Sequence, residues 1–325
     1  LLNSCLIRKL STASKSKLPV VLLFGPTAVG KTALVEQLFS TEFEIINADS
    51  MQVYRYMDIG TAKPSPELRQ SIPHHLVDIR TPDQQYDVGQ FVRDADRAAA
   101  EISARGRIPL ITGGTAFYFY HFLYGLPPAP PSDQAIRAEL YRRLTDEGRQ
   151  TLWAELIRHD PVSAEKLHPN DTQRLVRALE VFYSSGQPLS AFNSAPELRS
   201  GYEYLVLGLH RERAELYERI NRRVEQMWTE GLADEFQTLL SRGYTAVDPG
   251  MRGIGYREFC EMQSAGELLF EDIKSEIKKN SRRYAKRQIT FFKRISAAEW
   301  FSPADPVKIS IRVNQFLQRQ AVQVF

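Results

Sequence analysis

Eight residues near the start of the chain have the types and spacing to grip a diphosphate or triphosphate. Gly25, Pro26, Thr27, Ala28, Val29, Gly30, Lys31 and Thr32 fit G-x-x-x-x-G-K-[ST]. The glycines let the backbone wrap a phosphate, its N–H groups and the following helix start supply positive potential, and Lys31 adds a full charge. Thr32 can place its hydroxyl on Mg2+. The loop specifies the anion and not the compound, because kinases, ATPases and GTPases share it; the guanine-specific N-K-x-D tetrapeptide is absent. Asp49 is the next candidate. An acid at a strand end beside such a loop can hold Mg2+, serve the chemistry in another way, or simply cap the next helix.

These residues need elements to position them. Leu18 to Phe24 is an apolar, β-branched run closed by Gly25-Pro26, which predicts a buried parallel strand, and Thr32 to Ser40 predicts the helix behind the loop. Further strands are predicted at Glu44 to Asn47, Ile108 to Thr112 and Tyr204 to Leu209, with a helix over Gly89 to Arg105. Strand, helix, strand in this order gives an α/β fold: a P-loop NTPase-like parallel sheet flanked by helices. The proline-dense stretch from Gly125 to Pro131 starts a new unit. Helices predicted over Asp133 to Leu144, Gln150 to Arg158, Ser163 to Leu167 and Thr172 to Ser184 make residues 127–202 an all-helical insertion into a core of residues 18–126 and 203–325. Residues 1–17, rich in Ser, Lys and Arg, read as a disordered leader, with a transit peptide as the alternative.

Two cysteines in 325 residues exclude a disulfide scaffold and favour a reducing, cytoplasmic compartment. No apolar run approaches the roughly 18 residues of a membrane span. Net charge is only +3, but Lys278 to Arg294 carries eight basic residues and no acid, on a predicted helix over Phe270 to Arg294. With Ile277, Tyr284 and Phe291 facing the core, that helix is expected to offer a phosphate-contacting surface, against the simpler reading of a solvated face. Phe117 to Tyr120 is expected to pack in the core. His74 and His75 lack the spacing of metal ligands and read as structural or substrate-positioning.

Six blocks in order resemble the tRNA dimethylallyltransferase (tRNA isopentenyltransferase) family: Gly25 to Thr32, Asp49 to Pro64, Gly113 to Thr115, His168 to Glu180, Arg252 to Arg257 and Ala285 to Thr290. The C-terminal zinc finger of many eukaryotic members has no counterpart here. The resemblance implies transfer of dimethylallyl from dimethylallyl diphosphate to N6 of adenine 37 in a tRNA anticodon stem-loop, with release of diphosphate and with Mg2+ as cofactor. It implies Asp49 as base, with Lys31 and Arg223 as catalytic partners at the diphosphate. It further implies tRNA contacts at Asp49, Ser50, Met51, Gln52, Thr115, Arg137, Gln173, Arg174, Leu175, Val176, Arg177, Arg252, Gly253, Ile254, Gly255, Tyr256 and Arg257. A monomer is expected. The competing readings are an adenylate isopentenyltransferase acting on AMP, ADP or ATP, which would not need the insertion and basic helix, and a P-loop small-molecule kinase, which would consume ATP.

Overall fold

A computed structural model describes residues 17–39, 42–192, 195–265 and 270–322. Residues 1–16 of the expected leader lie outside the described residues. Six strands form one parallel sheet: β1 (Leu18–Phe24), β2 (Phe43–Asn47), β3 (His74–His75), β4 (Ile108–Gly113), β5 (Tyr202–Leu209) and β6 (Glu299–Phe301), in the order β3-β2-β4-β1-β5-β6. The helices flanking it are α1 (Lys31–Leu38), α2 (Pro66–Ser71), α3 (Val88–Ala104) and α4 (Ala116–Tyr124). Then come α5 (Gln134–Asp146), α6 (Arg149–His159), α7 (Pro161–Lys166) and α8 (Thr172–Ser185), and finally α9 (Arg213–Thr229), α10 (Leu232–Ser241), α11 (Arg257–Ala265), α12 (Phe270–Phe292) and α13 (Pro306–Val322).

The chain forms two compact units, one of residues 1–123 with 199–325 and one of residues 124–198. In the first, β1 is central, and Val20 to Phe24 are wholly buried. Such a strand has no polar face, which is why its sequence shows no alternation. Val21 pairs with Leu110 of β4, and Leu22 pairs with Val206 of β5. Helix α3 starts where it does because Asp87 and Gln90 form a reciprocal capping box.

The second unit is all helical, with a core of Leu140, Leu152, Leu156, Leu175, Val176 and Leu179. Asp133 and Asp171 cap α5 and α8, and Gly186, at φ 70°, ends α8 in the left-handed conformation that favours glycine.

Five elements were not legible: the strands β3, of two residues, and β6, of three, and the helices α2, α4 and α13. Helix α4 contains the aromatic run, and only part of it is core. Tyr118 and Phe119 are buried, whereas Phe117 is about half exposed. Among the described residues no helix is long and apolar enough to cross a membrane.

Candidate active site

The phosphate loop joins the buried end of β1 to α1. A Cβ on Gly25 would stand 2.9 Å from the Leu209 carbonyl oxygen, and Ala28 and Gly30 hold positive φ values of 61° and 112°. Its carbonyls are taken by cations. Lys31 Nζ donates to the carbonyls of Gly25 (2.9 Å) and Pro26 (3.1 Å), Arg219 Nε to that of Ala28 (2.9 Å), and Arg211 Nε to that of Val29 (2.7 Å). Carbonyls held in this way turn the loop so that the amides of Gly30 and of the first turn of α1 can face an anion, whereas the Val29 N–H donates to the Pro26 carbonyl (3.3 Å).

Helix α12 locks the loop from above. Phe292 stacks on Phe24 with ring centroids 4.4 Å apart, fixing the end of α12 against β1. One turn earlier on the same face, the Gln288 side chain accepts the Thr27 N–H (2.9 Å) and donates to the Gly114 carbonyl (2.6 Å).

Asp49 leaves the carboxyl end of β2, where the Ala48 N–H donates to the Thr112 carbonyl (2.8 Å) and the Thr115 N–H to the Ala48 carbonyl (3.1 Å). A Cβ on Gly113 would lie 2.3 Å from the Ala48 carbonyl carbon, so only glycine permits this approach. The Asp49 carboxylate accepts the Met51 N–H (2.9 Å), and Thr115 Oγ1 accepts the Ser50 N–H (2.8 Å). Gln52 donates to the carbonyls of Thr61 and Ala62 (both 3.2 Å), and Glu235 gathers the amides of Asp58, Ile59 and Gly60 at 2.7, 2.8 and 3.0 Å.

Two cavities meet here. One, of about 420 Å3, is floored by Lys31 and Thr32 and includes Arg219, Arg223 and Gln288. The other, of about 280 Å3, is lined by Ser50, Met51, Arg252 to Gly255 and Arg257. Thr27, Asp49, Thr61, Arg223 and Tyr284 belong to both. Burial pulls the Lys31 ammonium down to about 8, with Asp49 opposing the shift and Arg223 adding to it. Burial also lowers Arg223, against Asp49 and Glu230, and raises the Tyr284 phenol, with Asp49 adding to that rise. The site holds more positive than negative charge and is shaped for a compact polyanion beside a carboxylate.

The expected residues are therefore largely gathered: Asp49, Lys31, Thr32 and Arg223 share one cavity, and Arg223 Nη1 reaches Thr27 Oγ1 (3.5 Å). The neighbouring Arg222 faces solvent, its side chain 76% exposed, with Glu218 at 3.9 Å. Gly253 packs so tightly that a Cβ there would meet Met51 Cε at 2.2 Å, which brings two of the implied tRNA-contacting segments together.

Three implied RNA contacts are corrected by burial. Leu175 and Val176 are fully buried in the helical unit, and Tyr256 is fully buried with its hydroxyl donating to Glu235 (2.6 Å), so none of these side chains has a face to offer RNA. Arg174 and Gln173 are exposed on α8. Arg177 instead donates to the Pro130 carbonyl (2.6 Å), and Arg137 to Ser132 Oγ (3.1 Å). Arg252 donates to the Val247 carbonyl (2.6 Å) and Arg257 to Glu258 (3.1 Å).

The reading of α12 also changes. Ile277 is buried, but Tyr284 lines the site, and Phe291 packs edge-on against Phe117 and Tyr120, because a seven-residue spacing drifts around a 3.6-residue helix. Acids from outside the basic stretch pair with part of it, Glu225 of α9 with Lys278 and Glu276 with Lys279. Arg283, Lys286, Arg287 and Arg294 line a separate cavity of about 400 Å3. His74 lines the phosphate-loop cavity, its ring nitrogen on the Ile72 carbonyl (2.6 Å), and His75 bonds Glu44 (2.7 Å).

Sequence reading missed Arg219, Arg211, Gln288 and Glu235. The one available signal was the spacing of Arg219 and Arg223, four apart on α9 and so on one face.

Comparison with known proteins agrees with this geometry. The model of the family described as IPP transferase matches residues 52–295. A tRNA dimethylallyltransferase of Geobacter sulfurreducens is 44% identical over 304 residues, 93% of this chain and 97% of that one, and one of Geobacillus thermodenitrificans is 40% identical over 92% and 95%. The crystal structure of a full-length tRNA isopentenylpyrophosphate transferase from Bacillus halodurans, 36% identical, superposes with a TM-score of 0.67 and covers 94% of this chain and 99% of that one. A eukaryotic dimethylallyltransferase captured acting on tRNA, 26% identical, gives 0.75 over 92% of this chain and 77% of its own. The phosphate loop, the carboxylate facing it and these likenesses together place the chain in the IPP transferase family.

Proposed function

We propose that the chain transfers a dimethylallyl group from dimethylallyl diphosphate to N6 of adenine 37 in a tRNA anticodon loop, releasing diphosphate. The observation that carries this reading is that Asp49 and Arg223 belong at once to the cavity over the phosphate loop and to the cavity beside Arg252 to Arg257. An electrophile held by its diphosphate in the first faces an acceptor entering through the second.

The diphosphate lies against the loop amides, Lys31 and Arg223, whose charges stabilise the leaving group as the allylic C–O bond breaks. The N6 nitrogen forms the new C–N bond and its proton passes to the Asp49 carboxylate. An adenine inside a stacked loop cannot reach that point, so the nucleotide is extruded into the second cavity. Exposed Gln173 and Arg174 on the helical unit and the basic cavity on α12 offer positive charge and hydrogen bonds to the RNA backbone.

The residues fit Mg2+. The described residues contain no cluster of three acidic, His or Cys ligands, and Mg2+ bound mainly by phosphate and water needs only one or two protein oxygens. Thr32 would supply one, and the buried Thr112 hydroxyl, without a partner, lines the same cavity. Bound there with the donor, the ion would neutralise diphosphate charge.

The test is incubation of the purified chain with labelled dimethylallyl diphosphate and either an adenine-37 anticodon stem-loop or AMP. Label in the stem-loop supports the proposal. Label in AMP alone, or none without ATP, refutes it.

A further inference from the structure

Helix α9 presents two guanidinium groups to the phosphate loop, one turn apart. Arg223 is the deeper; it approaches Thr27 and belongs to both cavities. Arg219 touches the loop at Ala28 and lines only the cavity over the loop, away from the acceptor side. Its bond to Ala28 uses Nε, which leaves both terminal nitrogens with their N–H groups, and a methyl group placed on Gly30 would stand 3.9 Å from Nη2.

Neighbouring arginines differ. Arg211 is paired with Glu215, and Arg222 is exposed with Glu218 at 3.9 Å. Among the described residues no carboxylate lies within 4.0 Å of Arg219, so a half-buried fork of positive charge stands at the rim of an anion site with its donors uncommitted. A planar guanidinium anchored at Nε suits bidentate contact with a phosphate.

We propose that Arg219 binds the terminal phosphate of the donor, while Arg223 serves the phosphate next to the breaking bond. This rests on the reading of the cavity as a diphosphate site and adds a residue to it. Charge on the terminal phosphate changes little as the C–O bond breaks, so Arg219 contributes to binding more than to the chemical step.

The experiment compares the unsubstituted chain with R219Q and R219K, using dimethylallyl diphosphate and dimethylallyl monophosphate as probes in calorimetry, with donor KM and kcat on the stem-loop. R219Q is expected to weaken the diphosphate on the order of 10-fold to 100-fold, the worth of a charged hydrogen-bonded contact, and to raise donor KM with kcat nearly unchanged. The monophosphate, lacking the terminal group, should bind R219Q and the unsubstituted chain alike, and R219K should recover part of the loss. R213Q, which removes an exposed charge at the start of α9, is the control and should change neither. Equal loss of both probes with a lower melting temperature would make Arg219 a buttress of the loop and overturn the inference, as would undiminished diphosphate binding. If the unsubstituted chain does not prefer the diphosphate, the reading of the cavity itself falls, and this inference with it.

Discussion

Raising the pH should turn donor binding into a proton-uptake reaction, with Lys31 as the group that takes the proton. In the empty loop its ammonium is held at about 8 against an ordinary 10.5, burial being the main cause. A bound diphosphate places several negative charges beside it and restores the charged form. Linkage then sets the number of protons taken up on binding equal to the deprotonated fraction of the empty site: about 0.1 at pH 7, about 0.5 at pH 8 and about 0.9 at pH 9. Apparent affinity should fall by about 10-fold at pH 9, because only about a tenth of the empty sites carry the competent charge. The ligand does not confound this reading at pH 8 and pH 9, since a terminal phosphate with a pKa near 6 is almost fully ionised there, whereas at pH 7 its residual proton, about 0.1, offsets the uptake. Calorimetry of dimethylallyl diphosphate in buffers of different ionisation enthalpy measures the uptake directly. Neighbouring charges give the sign of two controls: Arg223→Gln removes a cation that lowers Lys31 and should move the midpoint up, whereas Asp49→Asn removes the anion that raises it and should move the midpoint down. Uptake near zero from pH 7 to pH 9 would show that Lys31 stays charged in the empty loop and would refute the reasoning.

Asp49→Asn should lower transfer to the stem-loop on the order of 100-fold, the scale of a lost general base, while donor affinity at pH 7 is not weakened; single-turnover rates and calorimetry on the same protein check both halves. Gly113→Ala drives a Cβ to 2.3 Å from the Ala48 backbone, a contact that only a backbone shift relieves. The expected cost is about 3 kcal/mol, the upper end for overpacking, and the displaced Asp49 should lose roughly 100-fold in turnover, read by thermal melting and by the transfer assay.

Local signals were the legible ones. The phosphate loop, its strand and the helix behind it follow from Gly25 to Thr32 because the constraint is on consecutive residues. Asp49 was legible from its place after an apolar strand. The parts that were not legible depend on pairings distant along the chain: Gln288 meets Thr27, 261 residues away, and Arg219 meets Ala28, 191 away. A glutamine or an arginine on an amphipathic helix carries no mark of such a partner. Burial misled in a regular way as well. Within the segment from Gln173 to Arg177, Gln173 and Arg174 face solvent, Leu175 with Val176 face the core and Arg177 is half-buried on the Pro130 carbonyl, so a contiguous segment taken from a resemblance mixes exposed with structural positions.

The distant contacts also explain why the site needs a sheet of this order. With β1 between β4 and β5, the loop after β1 opens between the Gly113-Gly114 turn and the start of α9. Gln288 bridges it to the first, and Arg219 and Arg223 approach it from the second. The helix carrying Gln288 also carries Arg287, which lines both the acceptor-side cavity and the basic cavity. One helix therefore joins an amide of the phosphate loop to a cavity lined by four arginine and lysine side chains. A donor that needs the Thr27 amide must share it with, or take it from, the Gln288 side chain, so any ligand that restrains α12 would also act on the loop.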